Sequence, residues 1–318
     1  MTWVSAKTIA EDYLIHATRY ANVPLARQLF SDFSFNFHCN TPVMKTILVP
    51  TDFSTYGLHA TQTAASMAEK THAKIILQHN VPTLLRWSGM TIEQHRNYPD
   101  IMQESLSSES RLGELMDNYH LRHLDVSRVV TQGVTHEKII EEAYQEGVDI
   151  IVIGSHGNEK HDRCFIGSNI QKVMREAHCP VMTIRKETHS RSWKRAVVPV
   201  SLDEDISVPF SRIKEIAMGL GSTVHLLFVN SPAHFKNEHE IRSRLISFAR
   251  EHPEIEFETA IYNNRDIDTG ILEYAHDVKA DWIGMVAHNR KHKDKYLIGI
   301  TETIAFKSDL PLLTVLLN

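Results

Sequence analysis

Apolar runs of strand length alternate along this chain with segments whose apolar residues return every three or four positions. KTILVP (45–50), KIILQHNV (74–81), DIIVIG (149–154) and PVMTIR (180–185) are of the first kind, and their near-continuous apolar character predicts strands buried on both faces. GLHATQTAASMAEKT (57–71) and THEKIIEEAYQEG (135–147) are the clearest of the second kind. In the latter, Ile139, Ile140 and Ala143 share one face and the glutamates the other. Thr135 is placed to cap this predicted helix and Gly147 to end it. Strands alternating with amphipathic helices imply a parallel sheet wound through right-handed crossovers.

The pattern occurs twice. KTILVPTDFS at Lys45–Ser54 aligns with KRAVVPVSLD at Lys194–Asp203, with Pro50 and Pro199 in step, and the same offset lays KIILQHNV on TVHLLFVN at Thr223–Asn230. Further on, EGVDIIVIGSHG meets VKADWIGMVAHN with Asp149 opposite Asp281, so the second copy has lost residues between its second strand and this one. Each copy closes on a proline followed by an apolar strand, CPVMTIRK and LPLLTVLL, a place where a residue without a ladder donor is tolerated. The expected fold class is therefore α/β, with two tandem doubly wound parallel five-stranded sheets. The expected domains are 44–187 and 193–318, joined by the polar stretch Lys186–Trp193. Residues 1–43 belong to neither copy and form an extension of unknown role, with a short helix expected around TIAEDYLIHATRY. Met44 directly precedes the first strand, where an alternative translation start is expected, and the leader is expected to be dispensable for the core.

With 318 residues, 42% of them hydrophobic, each copy has enough chain to bury its own core. A net charge of -5 argues against a surface that follows nucleic acid or anionic lipid. No apolar run approaches a membrane span and no secretory signal opens the chain, which makes the cytoplasm the expected location. Cys39, Cys164 and Cys179 are too few and too scattered for a disulfide framework. The twenty histidines are dispersed and form no HExxH, so they read as surface or satisfied side chains rather than a metal site.

The chemistry concentrates in GSHGNEKHDRCFIGSN, residues 154–169. It follows a strand and opens a helix at the carboxyl edge of the sheet, where helix N-termini present unpaired N–H groups. Gly154 and Gly157 would let backbone approach an anion, and Gly167, Ser168 and Asn169 would supply donors at the first helical turn. Asp52, after the first strand, would face the same place and accept hydrogen bonds from a ribose or an adenine amine. Taken alone, two glycines and a GS pair fit a solvated turn as readily as a phosphate site.

VPTDFS, EGVDIIVIGSHG, IGSN and CPVMTIR together resemble the universal stress protein family. Its nucleotide-binding members space glycine, two residues, glycine, nine residues, then glycine and a small hydroxyl residue; Gly154, Gly157, Gly167 and Ser168 match each step. The resemblance is strong over 44–186 and weak over 194–318. It implies a fold of the HUP, adenine nucleotide alpha hydrolase-like, variety and a site for ATP, with Mg²⁺ accompanying the triphosphate. Asp52 would lie near adenosine, Asn80 would offer backbone groups to adenine, and Gly133 would line the ribose side. Gly154, His156, Gly157, Gly167, Ser168 and Asn169 would hold the phosphates. Lys160 and Arg163 lie in the spacer, where a solvated loop and a phosphate contact are both open, and His79 is expected to pack at its strand end. In the second copy Ser201, Arg265, Val286, Asn289, Ile300 and Thr301 stand where Asp52, Gly133, Gly154, Gly157, Ser168 and Asn169 do, and only Gly299 persists. That copy is expected to pair with the first as the partner does in a homodimer; association of two whole chains is left open. No Walker A loop, HIGH element or SGGxDS loop is present, so the expected function is a stress-response binding protein rather than an enzyme. A nucleotide-independent interaction module and a slow ATP hydrolase are the alternatives.

Overall fold

In the computed structural model, ten strands join into one sheet of order β3-β2-β1-β4-β5-β10-β9-β6-β7-β8. The structure describes residues 44–83, 89–156, 167–186, 192–288 and 299–317. The predicted leader helix, Gly157, Lys160 and Arg163 lie outside them. In the first half the strands are β1 (Thr46–Pro50), β2 (Lys74–Pro82), β3 (Val126–Gly133), β4 (Ile150–Gly154) and β5 (Val181–Ile184). In the second they are β6 (Arg195–Pro199), β7 (Thr223–Asn230), β8 (Phe257–Asn263), β9 (Trp282–His288) and β10 (Leu312–Leu317). Helices α1 (Thr55–Thr71), α2 (Pro99–Asn118), α3 (Thr135–Gln145) and α4 (Ser168–Glu176) serve the first half; α5 (Ser207–Leu220), α6 (Glu238–Arg250), α7 (Ile267–Asp277) and α8 (Ile300–Lys307) serve the second.

The strand order of the first half, 3-2-1-4-5, recurs in the second, and every pairing within a half is parallel. The two sets are doubly wound as expected, but they share one sheet. β5 meets β10 antiparallel, with Met182 opposite Leu313. This junction turns the second half end for end, so the carboxyl edges of the two sets point in opposite directions. The lost residues fall between β7 and β8, where α6 has 13 residues against the 20 of α2.

Equivalent residues make equivalent bonds. Asp149 Oδ2 accepts the backbone N–H groups of Lys45 and Thr46 at 2.7 and 2.9 Å, and Asp281 Oδ2 those of Lys194 and Arg195 at the same distances. The closing prolines also match, Pro180 O accepting from Ile151 N and Pro311 O from Ile283 N.

Alternation along the strands sends Ile47 and Val49 into one apolar layer and Leu48 into the other. The first layer is completed by α1, α2, α5 and α6 through residues such as Ala64, Leu112, Phe210 and Ile241. The second is completed by α3, α4, α7 and α8 through Ile139, Val173, Ile271 and Ile304. Both layers run across the β5–β10 junction.

Two local expectations are corrected. Thr135 is not the cap of α3: Val134 holds that position without a side-chain bond, and the Thr135 hydroxyl instead accepts from Asn80 Nδ2 at 3.1 Å. Trp193, read as part of the polar linker, is fully buried, its Nε1 donating to Ser66 Oγ of α1 at 3.0 Å. One large ring outweighs the polar composition of its neighbours, because burying an aromatic removes about 150–250 Å² from water. Gly147 ends α3 as expected, with φ +59.

Candidate functional site

Between β1 and β4 the winding reverses. α1 leaves β1 for the first apolar layer, and α4 follows β4 into the second. In open α/β sheets this reversal leaves a crevice at the strands' carboxyl ends, flanked by two helix N-termini. The expected site residues fall into two groups around it.

The first group surrounds the starts of α1 and α4. Asp52 Oδ1 accepts Ser54 N at 3.0 Å, and Ser54 Oγ caps α1 by accepting Gly57 N at 3.2 Å. The Asp52 carboxylate thus lies at the mouth of the helix. Gly154 stands at the end of β4 directly beneath α1: a Cβ there would lie 2.6 and 2.7 Å from the backbone C and O of Tyr56. Close packing of helix on strand therefore demands this glycine for a reason internal to the fold. Ser155, 1% exposed, donates its N–H to Ile184 O at 2.7 Å and accepts Gly167 N at 3.4 Å, so it ties the two ends of the intervening loop together. His156 Nδ1 lies 2.9 Å from Ser155 Oγ, and its ring lies 5.0 Å from that of Tyr56. Gly167, which has no side chain, is the N-cap of α4, and among the described residues no side chain caps that helix; Ser168 and Asn169 occupy its exposed first turn. The positive end of α4 accordingly opens beside Ser155, at the end of β4.

The second group sits across β2. Asn80 Nδ2 donates to Gly133 O at 3.0 Å and Asn80 Oδ1 accepts from Thr131 at 3.1 Å, so its side chain binds β2 to β3 and to α3. What it can present to a ligand is backbone. Gly133 has φ +144, a conformation that favours glycine, and lies against Lys138. Asn80 and Gly133 contact each other, and the first group is gathered separately at β1 and β4.

A stack that sequence reading did not assemble closes the β1–β2 side. Phe53 holds φ +60, its ring is 4.6 Å from that of His79, and the Arg111 guanidinium lies over the ring at 3.8 Å. His79 Nδ1 bonds Thr51 O at 2.8 Å. Burial pushes its pKa down, with Arg111 adding in the same direction and the Thr51 bond opposing. His79 is thus a packed, neutral ring. The signal for the stack was weak, since Arg111 lies 58 residues from Phe53 along an otherwise ordinary amphipathic helix.

At the opposite end of the sheet the second half builds something different. Ser201 Oγ accepts Asp203 N at 3.3 Å; Lys236 bonds Asp203 at 2.7 Å, and Arg244 donates to Leu202 O at 2.6 Å. The loop after β6 is therefore held by cations of its own half. Val286 occupies the place of Gly154, and α8 begins with Gly299 followed by Ile300, 42% exposed. Among the described residues no three His, Cys, Asp or Glu side chains are grouped to hold a metal, and no helix is long and apolar enough to cross a membrane.

The universal stress protein family model matches residues 44–185. Universal stress protein MJ0577 of Methanocaldococcus jannaschii is 27% identical over 160 residues, covering 45% of this chain and 96% of that protein. A universal stress protein of Thermus aquaticus is likewise 27% identical, over 146 residues, 45% of this chain and all of its own length. Among solved structures, a universal stress protein from Archaeoglobus fulgidus superposes with a TM-score of 0.66 at 14% identity, covering 85% of this chain and 98% of that one. That last likeness concerns fold alone, and it extends over both halves.

Proposed function

We propose that the chain, whose residues 44–185 match the universal stress protein family model, is a stress-response protein that binds ATP in its first half and acts by binding rather than turnover. The observation that carries the reading is the asymmetry of the two crevices. In the first half a carboxylate at Asp52, a glycine at the end of β4 and the uncapped N-terminus of α4 with Ser168 and Asn169 surround one reversal point. The second half, with the same strand order, carries Ser201, Val286 and Ile300 there. A β-branched valine resists the conformations open to glycine and obstructs close approach of an anion.

In this reading the triphosphate lies along the loop closed by Ser155 and Gly167, with Gly154, His156, Gly157, Gly167, Ser168 and Asn169 around it. Asp52 meets the ribose, and the Asn80 backbone and Gly133 border the nucleoside. Mg²⁺ accompanies the phosphates and keeps most of its waters. The second half serves as a fused partner across β5–β10, in a protein of the cytoplasm.

Titration of the purified protein with ATP, followed by calorimetry and by mass spectrometry of co-purifying nucleotide, tests this. Saturable binding weakened at least tenfold by Asp52→Ala and by Gly157→Val is the expected result. No binding by the wild type would refute it and leave a nucleotide-independent interaction module in its place, and turnover well above slow background would make the protein an enzyme.

A further inference from the structure

The antiparallel junction brings a part of the second half to the edge where β4 and β5 of the first half end. Because β10 runs against β5, the segment that enters β10, the end of α8, lies at the carboxyl end of β5. Phe306 sits there. Its ring centroid is 6.4 Å from that of His156, within the range of interacting aromatic pairs, and His156 is in turn 5.0 Å from Tyr56. Arg185, the residue after β5, also contacts Phe306: its guanidinium lies 5.3 Å from the ring and its Nη1 donates to Phe306 O. Two ion pairs brace the same seam, Arg175 to Glu302 at 2.9 Å and Lys186 to Asp309 at 2.6 Å.

We infer that Phe306 of the second half is a positioning residue for the nucleotide site of the first, bearing on His156, which in turn packs against Tyr56. The inference rests on the proposed ATP site. It gives the degenerate half a task in binding beyond covering the edge of β5. The closing bonds of the two helices, Ala177 N to Val173 O and Ser308 N to Ile304 O, lay Arg175 on Phe306, so the first half offers a flexible cation where the second offers a rigid ring. The two halves are thus unequal at this seam, and the ring is supplied to the half that keeps the glycines. Phe306 is also partly buried against the second apolar layer, so a test has to separate loss of the ring from loss of packing.

Phe306→Met makes that separation, because it removes the ring and keeps most of the apolar volume. Expected are a melting temperature close to wild type, an ATP affinity lowered about 3- to 10-fold, the size of a lost aromatic contact, and recovery of most of that loss in Phe306→Tyr. His156→Ala should weaken ATP by a similar factor, and the double variant His156→Ala with Phe306→Met should be no weaker than His156→Ala alone. In the absence of nucleotide, Phe306→Met should also shift the His156 imidazole proton resonances. Wild-type affinity in Phe306→Met, or losses that multiply in the double variant, overturns the inference while leaving the ATP reading intact. No ATP binding by the wild type overturns that reading and this inference with it.

Discussion

Replacing Gly154 by alanine adds a single methyl group at the most crowded glycine among the described residues of the first half. The new Cβ would lie 2.6 Å from the Tyr56 carbonyl carbon, 2.7 Å from its oxygen and 2.8 Å from its Cβ. Two of these three atoms are backbone in the first turn of α1, which is anchored by the Ser54 cap and by Asp52. No rotamer change relieves the clash, so helix and strand must separate by several tenths of an ångström. Overpacking of this kind costs about 1–3 kcal/mol. At roughly 2–4 °C per kcal/mol for a unit of this size, the melting temperature should fall by about 2–12 °C. Because the displaced residue carries the ring that packs on His156, ATP affinity should fall in the same variant. Thermal unfolding followed by circular dichroism, with and without ATP, measures both effects. A Gly154→Ala protein melting within a degree of wild type would refute the packing account and return this glycine to the ligand alone.

Asp149→Ala and Asp281→Ala each remove a carboxylate that accepts two backbone N–H groups; each should cost at least about 1.5 kcal/mol in urea denaturation, with the larger loss at Asp281, which also accepts the Ser192 hydroxyl at 3.0 Å, and a smaller loss there than at Asp149 would break the equivalence of the halves. His79, His225 and His252 all have pKa values pushed down, chiefly by burial. The unfolded chain then binds more protons in the window below about pH 6.5, so stability should fall as pH drops through it, by up to about 1.4 kcal/mol per pH unit for each histidine. His225, 3.1 Å from the Tyr274 hydroxyl and 3.5 Å from Glu258, can be replaced by isoleucine, the residue at the equivalent Ile76, and urea midpoints at pH 7 and pH 5 should then lie closer together. Arg111→Ala removes a cation that lowers the His79 pKa, so that histidine should titrate at higher pH by NMR; a downward or absent shift would refute the placement of the guanidinium over Phe53.

The repeat, the strands and the parallel winding were legible because each is written in local apolar periodicity, and the matching aspartates and prolines fall at fixed places in that pattern. The antiparallel junction was not, because β5 and β10 are both short apolar strands whose composition is indifferent to the direction of a neighbour. Trp193 was misassigned for a related reason: burial is decided by where a side chain can reach, and Ser66 lies far away in sequence. At the candidate site the glycine spacing could be read, but the Tyr56 backbone beneath which Gly154 packs could not. Phe53, Arg111 and Phe306 come from three separate elements, and no local pattern links them.

The two halves differ in a way that sorts their residues by physical demand. Where the demand comes from the ladder they agree: Asp149 and Asp281 make the same pair of bonds, and so do Pro180 and Pro311. At the crevice they diverge, with Asp52 and Gly154 against Ser201 and Val286, and the loop after β6 is occupied by its own Lys236 and Arg244. At the seam the residues answer each other across the junction, Arg175 with Glu302, Lys186 with Asp309 and Arg185 with Phe306. Two identical copies could not be unequal in this way, since any change made for one face of a symmetric pair is made for both. Covalent fusion removes that constraint. One half can lose a site and place a rigid ring beside the other's without placing a second ring beside its own.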